Sequence, residues 1–364
     1  MNRRTNILNN ILYMLLTFGA LFALVLVCNK YYQAKLFTVF GWVLLGGVVA
    51  GLFNAFAHEL GHLIAGKRNG FKLSCICVWF FKWTRVGKKL VFSWTFPWNE
   101  SGYTEMVPTV ADNLAIRYKK MTRGGIWISL VFALAGAVAL FFPKVPLAIY
   151  CIWSMFLPIG IYYFFGNILP MTSGKIRNDG AVLLGLKRLD DESKVTLSLL
   201  QVQAECFNGK TPSEIDENLL FDMPQLAEDD LTFIMLLDAR YNYYLDKKDY
   251  ENAIKISDRL ATLIDYMPKH VKCQIQTNLL YNACTFDYDE EEADDLMYEL
   301  DSFLNNVNNA TNIRAKLAYM LYVQKEKENA EIFYKKGVKE AKRYILKGYG
   351  DYEIKLLDEL KKDF

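Results

Sequence analysis

The chain has 364 residues, of which 52% are hydrophobic, with a net charge of +2 and a mean hydropathy of +0.08. This composition suits a soluble protein with a large core or a protein with membrane and soluble parts, and it gives no indication of a nucleic-acid partner. Residues 1–189 contain 20 basic and 5 acidic side chains, whereas residues 190–364 contain 22 basic and 35 acidic ones. The change of sign predicts two domains in different surroundings, 1–189 and 190–364.

Four apolar stretches in the first domain are long enough to cross a bilayer, which takes roughly 20 apolar residues in a helix. The segment 128–142 has no polar face, whereas a helix at the surface of a soluble protein has one. Four buried helices in a large soluble core are the alternative. We predict a mainly α, polytopic membrane helical bundle with spans at about 7–28, 36–65, 125–142 and 147–169.

The lysines and arginines between the spans predict the orientation of the chain in the membrane. The loop between the second and third spans contains eleven of them, whereas the other two loops contain two and one. We therefore expect an integral, multi-pass membrane protein, with this loop and both termini in the cytoplasm and the first span retained. The seven cysteines form no C-x-x-C pair, so we expect free thiols rather than disulfides.

The second span ends in a sequence that is unusual for a lipid-facing helix, His58-Glu59-Leu60-Gly61-His62. On a helix, residues four apart share a face, so both imidazoles can reach one metal ion, and Glu59 is placed to act as a general base. Only three histidines occur in the chain, and a glutamate in an apolar span needs a partner or a function. The alternative is a structural pair of histidines near the interface, with Glu59 paired to Lys67.

Aromatic and β-branched residues dominate the loop after the second span. Segments 71–81 and 89–98 are expected to be the strands of a β-hairpin or small sheet, connected by 82–89. An extended substrate can pair with the edge of such a sheet, and a hairpin that only anchors the protein is the alternative. Residues 113–125 are expected to form a basic interfacial helix attracted to anionic lipid of the bilayer.

Asp179 is the only acidic residue after the fourth span in the first domain, and the predicted topology places it on the same side as His62. A catalytic zinc site usually has three protein ligands and one open position, so Asp179 is a candidate third ligand. The alternative is that Asp179 caps a helix that begins at Gly180. Both roles are compatible.

The acidic domain shows an amphipathic helical pattern that recurs along the chain. Ala253, Ala293 and Ala330 occupy similar local sequences and are 40 and 37 residues apart. This spacing predicts a cytoplasmic α-helical domain. One possibility is a tetratricopeptide-like repeat that binds a protein or peptide partner, and the alternative is a plain helical bundle.

The first domain resembles the site-2 protease family of intramembrane zinc metalloproteases. The similar segments are AHELGHLIAGKRNGFK and the pair Asn167-x-x-Pro170 and Asp179-Gly180, although the Pro170–Asp179 loop is four residues longer than the family spacing. In the region of Gly125-Ile126 and Ser129, the family often has Gly-Pro and a later Asn. The resemblance covers only the membrane domain.

The resemblance implies a Zn²⁺ ion held by His58, His62 and Asp179, with Glu59 as the base and Asn167 as a polar group near the substrate carbonyl. The expected reaction is hydrolysis of a peptide bond in a membrane-spanning or membrane-associated substrate, near the cytoplasmic face. It also implies that the sheet after the second span lies beside the active site. A catalytically silent membrane-anchored scaffold that displays the helical domain is the second hypothesis. A metal transporter is disfavoured because the spans contain too few acidic residues for an ion path.

Overall fold

The protein is described by a computed structural model that covers residues 3–32, 35–95, 102–173 and 176–364. The chain is mainly helical and divides into two compact units. The sequence passes from the first unit to the second between Asp190 and Asp191. The units consist of Met1–Thr84, Leu90–Met106 and Asn113–Asp190 for the first, and of Arg85–Lys89, Val107–Asp112 and Asp191–Phe364 for the second.

Long helices form most of the first unit. Within the described residues, four helical stretches are long and apolar enough to cross a membrane, which is consistent with a membrane location. The last of them is interrupted at Met155, where one helix ends and the next begins. Residues 113–125 were expected to form a basic interfacial helix; residues 114–125 form the first turns of one long helix that continues to Ala139, and the attraction to lipid stays a prediction. The helices are α1 (Arg3–Tyr32), α2 (Leu36–Arg68), α3 (Leu114–Ala139), α4 (Leu147–Ser154) and α5 (Phe156–Ile168).

Large apolar side chains point outward from these helices, as they do when the surroundings are lipid. Phe22, Phe40 and Val131 are 64%, 63% and 62% exposed, and exposed apolar surface of this extent is rare in soluble monomers. Contacts between the helices use small residues. A methyl group on Gly61 of α2 would lie only 2.5 Å from the carbonyl oxygen of Gly124 on α3. The two helices therefore cross with their backbones in close contact, as is common for helices in membranes.

Four strands follow α2 and form one sheet in the order β3-β2-β1-β4. The first two are antiparallel, with Val78 opposite Phe81 and Cys75 opposite Thr84. The small sheet was predicted, but the prediction that 82–89 is only a connector was wrong, because most of this segment pairs with the first strand as a strand of its own. The strands are β1 (Phe71–Val78), β2 (Phe81–Val86), β3 (Lys89–Trp94) and β4 (Gly102–Pro108).

A short hairpin and a helix follow α5. Thr172 pairs with Arg177 and Ser173 with Ile176, which forms the two-residue strands β5 (Thr172–Ser173) and β6 (Ile176–Arg177). Helix α6 (Asp179–Arg188) begins two residues after this hairpin. The hairpin therefore reverses the chain after the fourth span and returns it to the end of α5.

The second unit contains three consecutive pairs of contacting helices, α9 with α10, α11 with α12 and α13 with α14. Ala253, Ala293 and Ala330 lie at or near the start of the second helix of each pair, and all three are completely buried. The helical prediction is confirmed, and the tetratricopeptide-like assignment stays a prediction. The helices are α7 (Asp191–Phe207), α8 (Asn218–Phe221), α9 (Leu231–Asp246), α10 (Tyr250–Ala261), α11 (Lys269–Cys284), α12 (Glu290–Asn306), α13 (Ala310–Tyr322), α14 (Ala330–Ala341) and α15 (Lys347–Leu360).

A buried ion pair lies in the core of the second unit. The Nε atom of Arg314 on α13 is 2.8 Å from a carboxylate oxygen of Glu353 on α15, and both side chains are almost fully buried. The guanidinium also lies 4.0 Å from the ring centroid of Tyr281, and Thr311 donates a 2.6 Å hydrogen bond to the carboxylate. Buried charges of this kind need such partners because desolvation is costly.

Candidate metal centre

His58 and His62 lie one turn apart on α2, as the spacing predicts. Their Nε2 atoms are 3.1 Å apart, and the two residues are only 5% and 7% exposed. Both imidazoles point from α2 towards α3, because Gly61 and Gly124 allow the two helices to approach closely. The pair is therefore inside the first unit and away from the lipid-facing surface.

Asp179 completes a group of three. Its Oδ2 atom lies 3.3 Å from His58 Nε2 and 3.2 Å from His62 Nε2. The alternative that Asp179 caps α6 is wrong, because the N-cap is Asn178, whose side-chain oxygen accepts a 2.9 Å hydrogen bond from the amide of Ala181. Asp179 is the first helical residue, so its carboxylate is free to point at the two imidazoles.

The long loop before Asp179 is held at its base by one asparagine. The side-chain amide of Asn178 donates to the carbonyl oxygens of Gly166 and Leu169, at 2.6 and 2.7 Å. Its side-chain oxygen accepts two hydrogen bonds of 2.9 Å, one from the backbone amide of Met171 and one from the backbone amide of Ala181 on α6. The loop contains the paired strands β5 and β6, and it keeps Asp179 beside the two histidines.

Hydrogen bonds on the far side of each imidazole determine which ring nitrogen faces the centre. Nδ1 of His62 lies 3.1 Å from the carbonyl oxygen of Met121, which can only accept, so Nδ1 carries the proton. Nδ1 of His58 lies 3.0 Å from the hydroxyl of Ser129, and that hydroxyl donates to the carbonyl oxygen of Gly125 at 3.1 Å. The hydroxyl therefore accepts from His58. Both Nε2 atoms are left with a lone pair towards Asp179, which is the arrangement of metal-binding histidines.

In this tautomer the three facing atoms are all acceptors, and a cation between them could bind to all three. Asp179 Oδ2 is buried without a hydrogen-bond partner. In a tetrahedral zinc site, bonds of about 2.0–2.2 Å place ligand atoms roughly 3.3–3.6 Å apart. The separations of 3.1–3.3 Å are close to that spacing.

Gly125 allows the two imidazoles to pack directly against α3. A methyl group on this residue would lie 2.8 Å from His58 Nε2 and closer still to His62 Nε2, which no real side chain tolerates. Together with Ser129 and the carbonyl of Met121, Gly125 makes α3 the wall of the site. The sequence analysis recorded Gly125 and Ser129 only as departures from the family pattern.

Glu59 is buried next to the sheet and is 6% exposed. Its Oε2 atom accepts a 2.7 Å hydrogen bond from the hydroxyl of Thr104 on β4. The expected alternative partner was Lys67, but the hydrogen bond goes to Thr104. The carboxylate is close enough to both imidazoles and to Asp179 to interact with them electrostatically. Thr104 was missed by the sequence analysis, because nothing in the local pattern connects residues 45 positions apart.

Asn167 lies at the end of α5 and contacts the site through its backbone. Its side-chain amide donates to the carbonyl oxygen of Tyr163 on the same helix, at 2.9 Å. Its own carbonyl oxygen would lie 2.9 Å from a methyl group on Gly180, so glycine allows α6 to pack against the end of α5. This packing helps to place Asp179. A role of the Asn167 side chain towards substrate stays a prediction.

No family model matches this chain, and no curated protein or solved structure matches it. The interpretation of the site therefore rests on its own residues. His58, His62 and Asp179 present three buried acceptor atoms to a common centre, with an acidic side chain beside them.

Proposed function

We propose that the first unit is a membrane-embedded zinc metalloprotease similar to the site-2 proteases. The observation that carries this proposal is the buried triangle of His58 Nε2, His62 Nε2 and Asp179 Oδ2, with Glu59 next to one of the ligands. Two imidazoles and one carboxylate form a donor set that suits zinc and leaves the fourth position open. A bound zinc ion would supply a Lewis acid that activates water for attack on a peptide carbonyl.

In this proposal, Glu59 moves the protons of the reaction. Its carboxylate accepts a proton from the attacking water and then donates it to the leaving amine. The hydroxyl of Thr104 holds the carboxylate at Oε2 through the 2.7 Å hydrogen bond and leaves Oε1 available for proton transfer. Burial of Glu59 among α2 and β4 limits its movement, so the base is oriented before the substrate arrives.

The sheet supports a peptide as substrate. Strand β4 has one hydrogen-bonded neighbour among the described strands, β1, and it carries Thr104, which contacts the base. An extended peptide that pairs with the other edge of β4 passes next to Glu59. The proposed substrate is a membrane-spanning or membrane-associated peptide, cut near the cytoplasmic face, in a bacterial cell membrane with both protein termini cytoplasmic.

Two measurements on the purified protein test this function. We expect about one zinc per chain, and we expect His58→Ala or Asp179→Ala to remove it. Glu59→Gln should keep its zinc and lose cleavage of a library of single-span peptides by at least about 100-fold. Glu328→Gln is the matched control, because Glu328 is an exposed glutamate of the second unit, and it should cleave normally.

Cleavage by Glu59→Gln at the wild-type rate would contradict the mechanism. Zinc that stays bound after both histidines are replaced would contradict the site. Stoichiometric zinc without cleavage of any membrane peptide would favour the second hypothesis, a silent scaffold whose second unit binds a cytoplasmic protein or peptide partner.

A further inference from the structure

A cleft with a volume of about 420 Å³ lies between the end of α2 and the start of α3. It is separate from the triad, and none of its lining residues is acidic. Arg68 and Asn69 line it from α2 and its C-cap, and the other lining residues are Asn113, Ile116, Arg117 and Lys120.

The three cations of this cleft, Arg68, Arg117 and Lys120, have no acidic partner among the residues that the structure describes. Arg117 instead donates a 3.4 Å hydrogen bond to the carbonyl oxygen of Asn69, which joins the two sides of the cleft. Three positive charges that converge without a counterion favour the binding of an anion.

The start of α3 adds to this positive potential. A helix N-terminus carries a partial positive charge and normally has an acidic side chain or a capping side chain nearby. Helix α3 has no acidic residue in its first turn, and its N-cap Asn113 makes no side-chain capping hydrogen bond. Arg117 and Lys120 lie in the first two turns, where the helix dipole disfavours them. A bound anion would offset this conflict and could accept hydrogen bonds from the free amides of the first turn.

The cleft lies where the apolar stretches of two membrane-length helices begin or end. Arg68 is the last residue of the stretch 37–68, and α3 begins with Leu114. Ile116, which also lines the cleft, is 54% exposed, so the anion site has an apolar neighbour. A phospholipid presents a phosphate next to acyl chains, which matches this combination, whereas free phosphate leaves the exposed Ile116 without a role.

We propose that this cleft binds the phosphate of an anionic phospholipid through Arg68, Arg117, Lys120 and the N-terminus of α3. The site requires that the helices lie in a membrane, but it is independent of zinc and of catalysis. Its failure would therefore leave the proposed protease function untouched.

Lipid binding to the detergent-purified full chain tests the proposal by native mass spectrometry, with short-chain phosphatidylglycerol and phosphatidylcholine as probes. We expect one phosphatidylglycerol per chain, and weaker binding by about tenfold or more in the variant Arg68→Gln/Lys120→Gln. That variant keeps Arg117 and its bond to Asn69. The control variant is Lys67→Gln/Lys119→Gln, which removes the same charge from neighbouring positions on the same two helices.

Three outcomes would overturn the proposal. Equal weakening in both variants would show general attraction to a basic surface and no defined site. Phosphatidylcholine bound as tightly as phosphatidylglycerol would show that the negative charge is not recognised. Inorganic phosphate that displaces the lipid at an equal concentration would show a phosphate site without a lipid contact. In the expected result, the control variant loses less than about threefold and inorganic phosphate does not compete.

Discussion

Replacement of Ser129 by alanine tests whether the triad is built to hold a metal. Ser129 touches no ligand atom at the centre, but its hydroxyl accepts the hydrogen bond of His58 Nδ1 at 3.0 Å while it donates to Gly125. In Ser129→Ala, the Nδ1 proton of His58 has no acceptor in a site that is almost fully buried. An unsatisfied buried donor costs about 1–3 kcal/mol.

The cost should appear in the affinity for zinc and hardly in the stability of the metal-free protein. Without metal, His58 is free to move its proton to Nε2 and donate to Asp179, 3.3 Å away, which relieves the loss. Zinc requires the Nε2 lone pair and forces the proton back to Nδ1. We therefore expect zinc binding to weaken by about 10–100-fold, the usual effect of removing such a supporting hydrogen bond.

Competition with a chelator of known affinity measures this change, and Ser154→Ala is the matched control. Ser154 is also buried in the first unit, and its hydroxyl donates a 2.6 Å hydrogen bond to the carbonyl oxygen of Tyr150, four residues before it. Ser154 does not contact the triad. Its replacement should change zinc affinity by less than about threefold. Equal affinities for wild type and Ser129→Ala would refute the assignment of the His58 tautomer.

Three further substitutions probe the site and the second unit. Gly125→Ala should abolish zinc binding, since the added methyl group would meet both imidazoles, whereas Gly41→Ala, with nothing within 4 Å, should not alter chelator competition. Asn178→Ala should weaken zinc binding at least about tenfold as the loop base opens, and Asn178→Asp should lie between it and wild type because its oxygen still caps α6. Arg314→Met should lower the free energy of unfolding of the second unit by about 3–5 kcal/mol in thermal or urea unfolding, because Glu353 is left buried without its partner. The double variant Arg314→Met/Glu353→Gln should recover part of the lost free energy of unfolding. If it is no more stable than Arg314→Met, the loss is not due to the desolvation of an unpaired Glu353.

Much of the site could be read from local sequence. The four-residue spacing of His58 and His62 places both imidazoles on one face of any helix, so their proximity needs no tertiary information. The apolar length of the spans and the helical pattern of the second unit are also local properties. They depend on composition and periodicity, which each segment carries by itself.

Other parts of the site could not be read in this way. The site residues on α3 and β4 contact side chains of α2: Ser129 contacts His58, Thr104 contacts Glu59, and Gly125 contacts both imidazoles. No local sequence pattern indicates which residue of another helix or strand a side chain will contact. The segment 82–89 was mistaken for a connector because its lysines and arginines resemble a loop. Its partner strand β1 decides that it is a strand, through backbone hydrogen bonds that do not depend on side-chain polarity.

The sequence by itself determined the two histidines, the adjacent glutamate and one candidate third ligand, Asp179. Only the tertiary structure decided that Asp179 reaches them, because the answer depended on how the loop from Pro170 to Asn178 folds. The side chain of Asn178 closes that loop and takes the capping position of α6, which leaves the Asp179 carboxylate 3.2–3.3 Å from both imidazoles. A ligand set is a property of positions in space, and chain spacing predicts it only where the backbone between the ligands is regular.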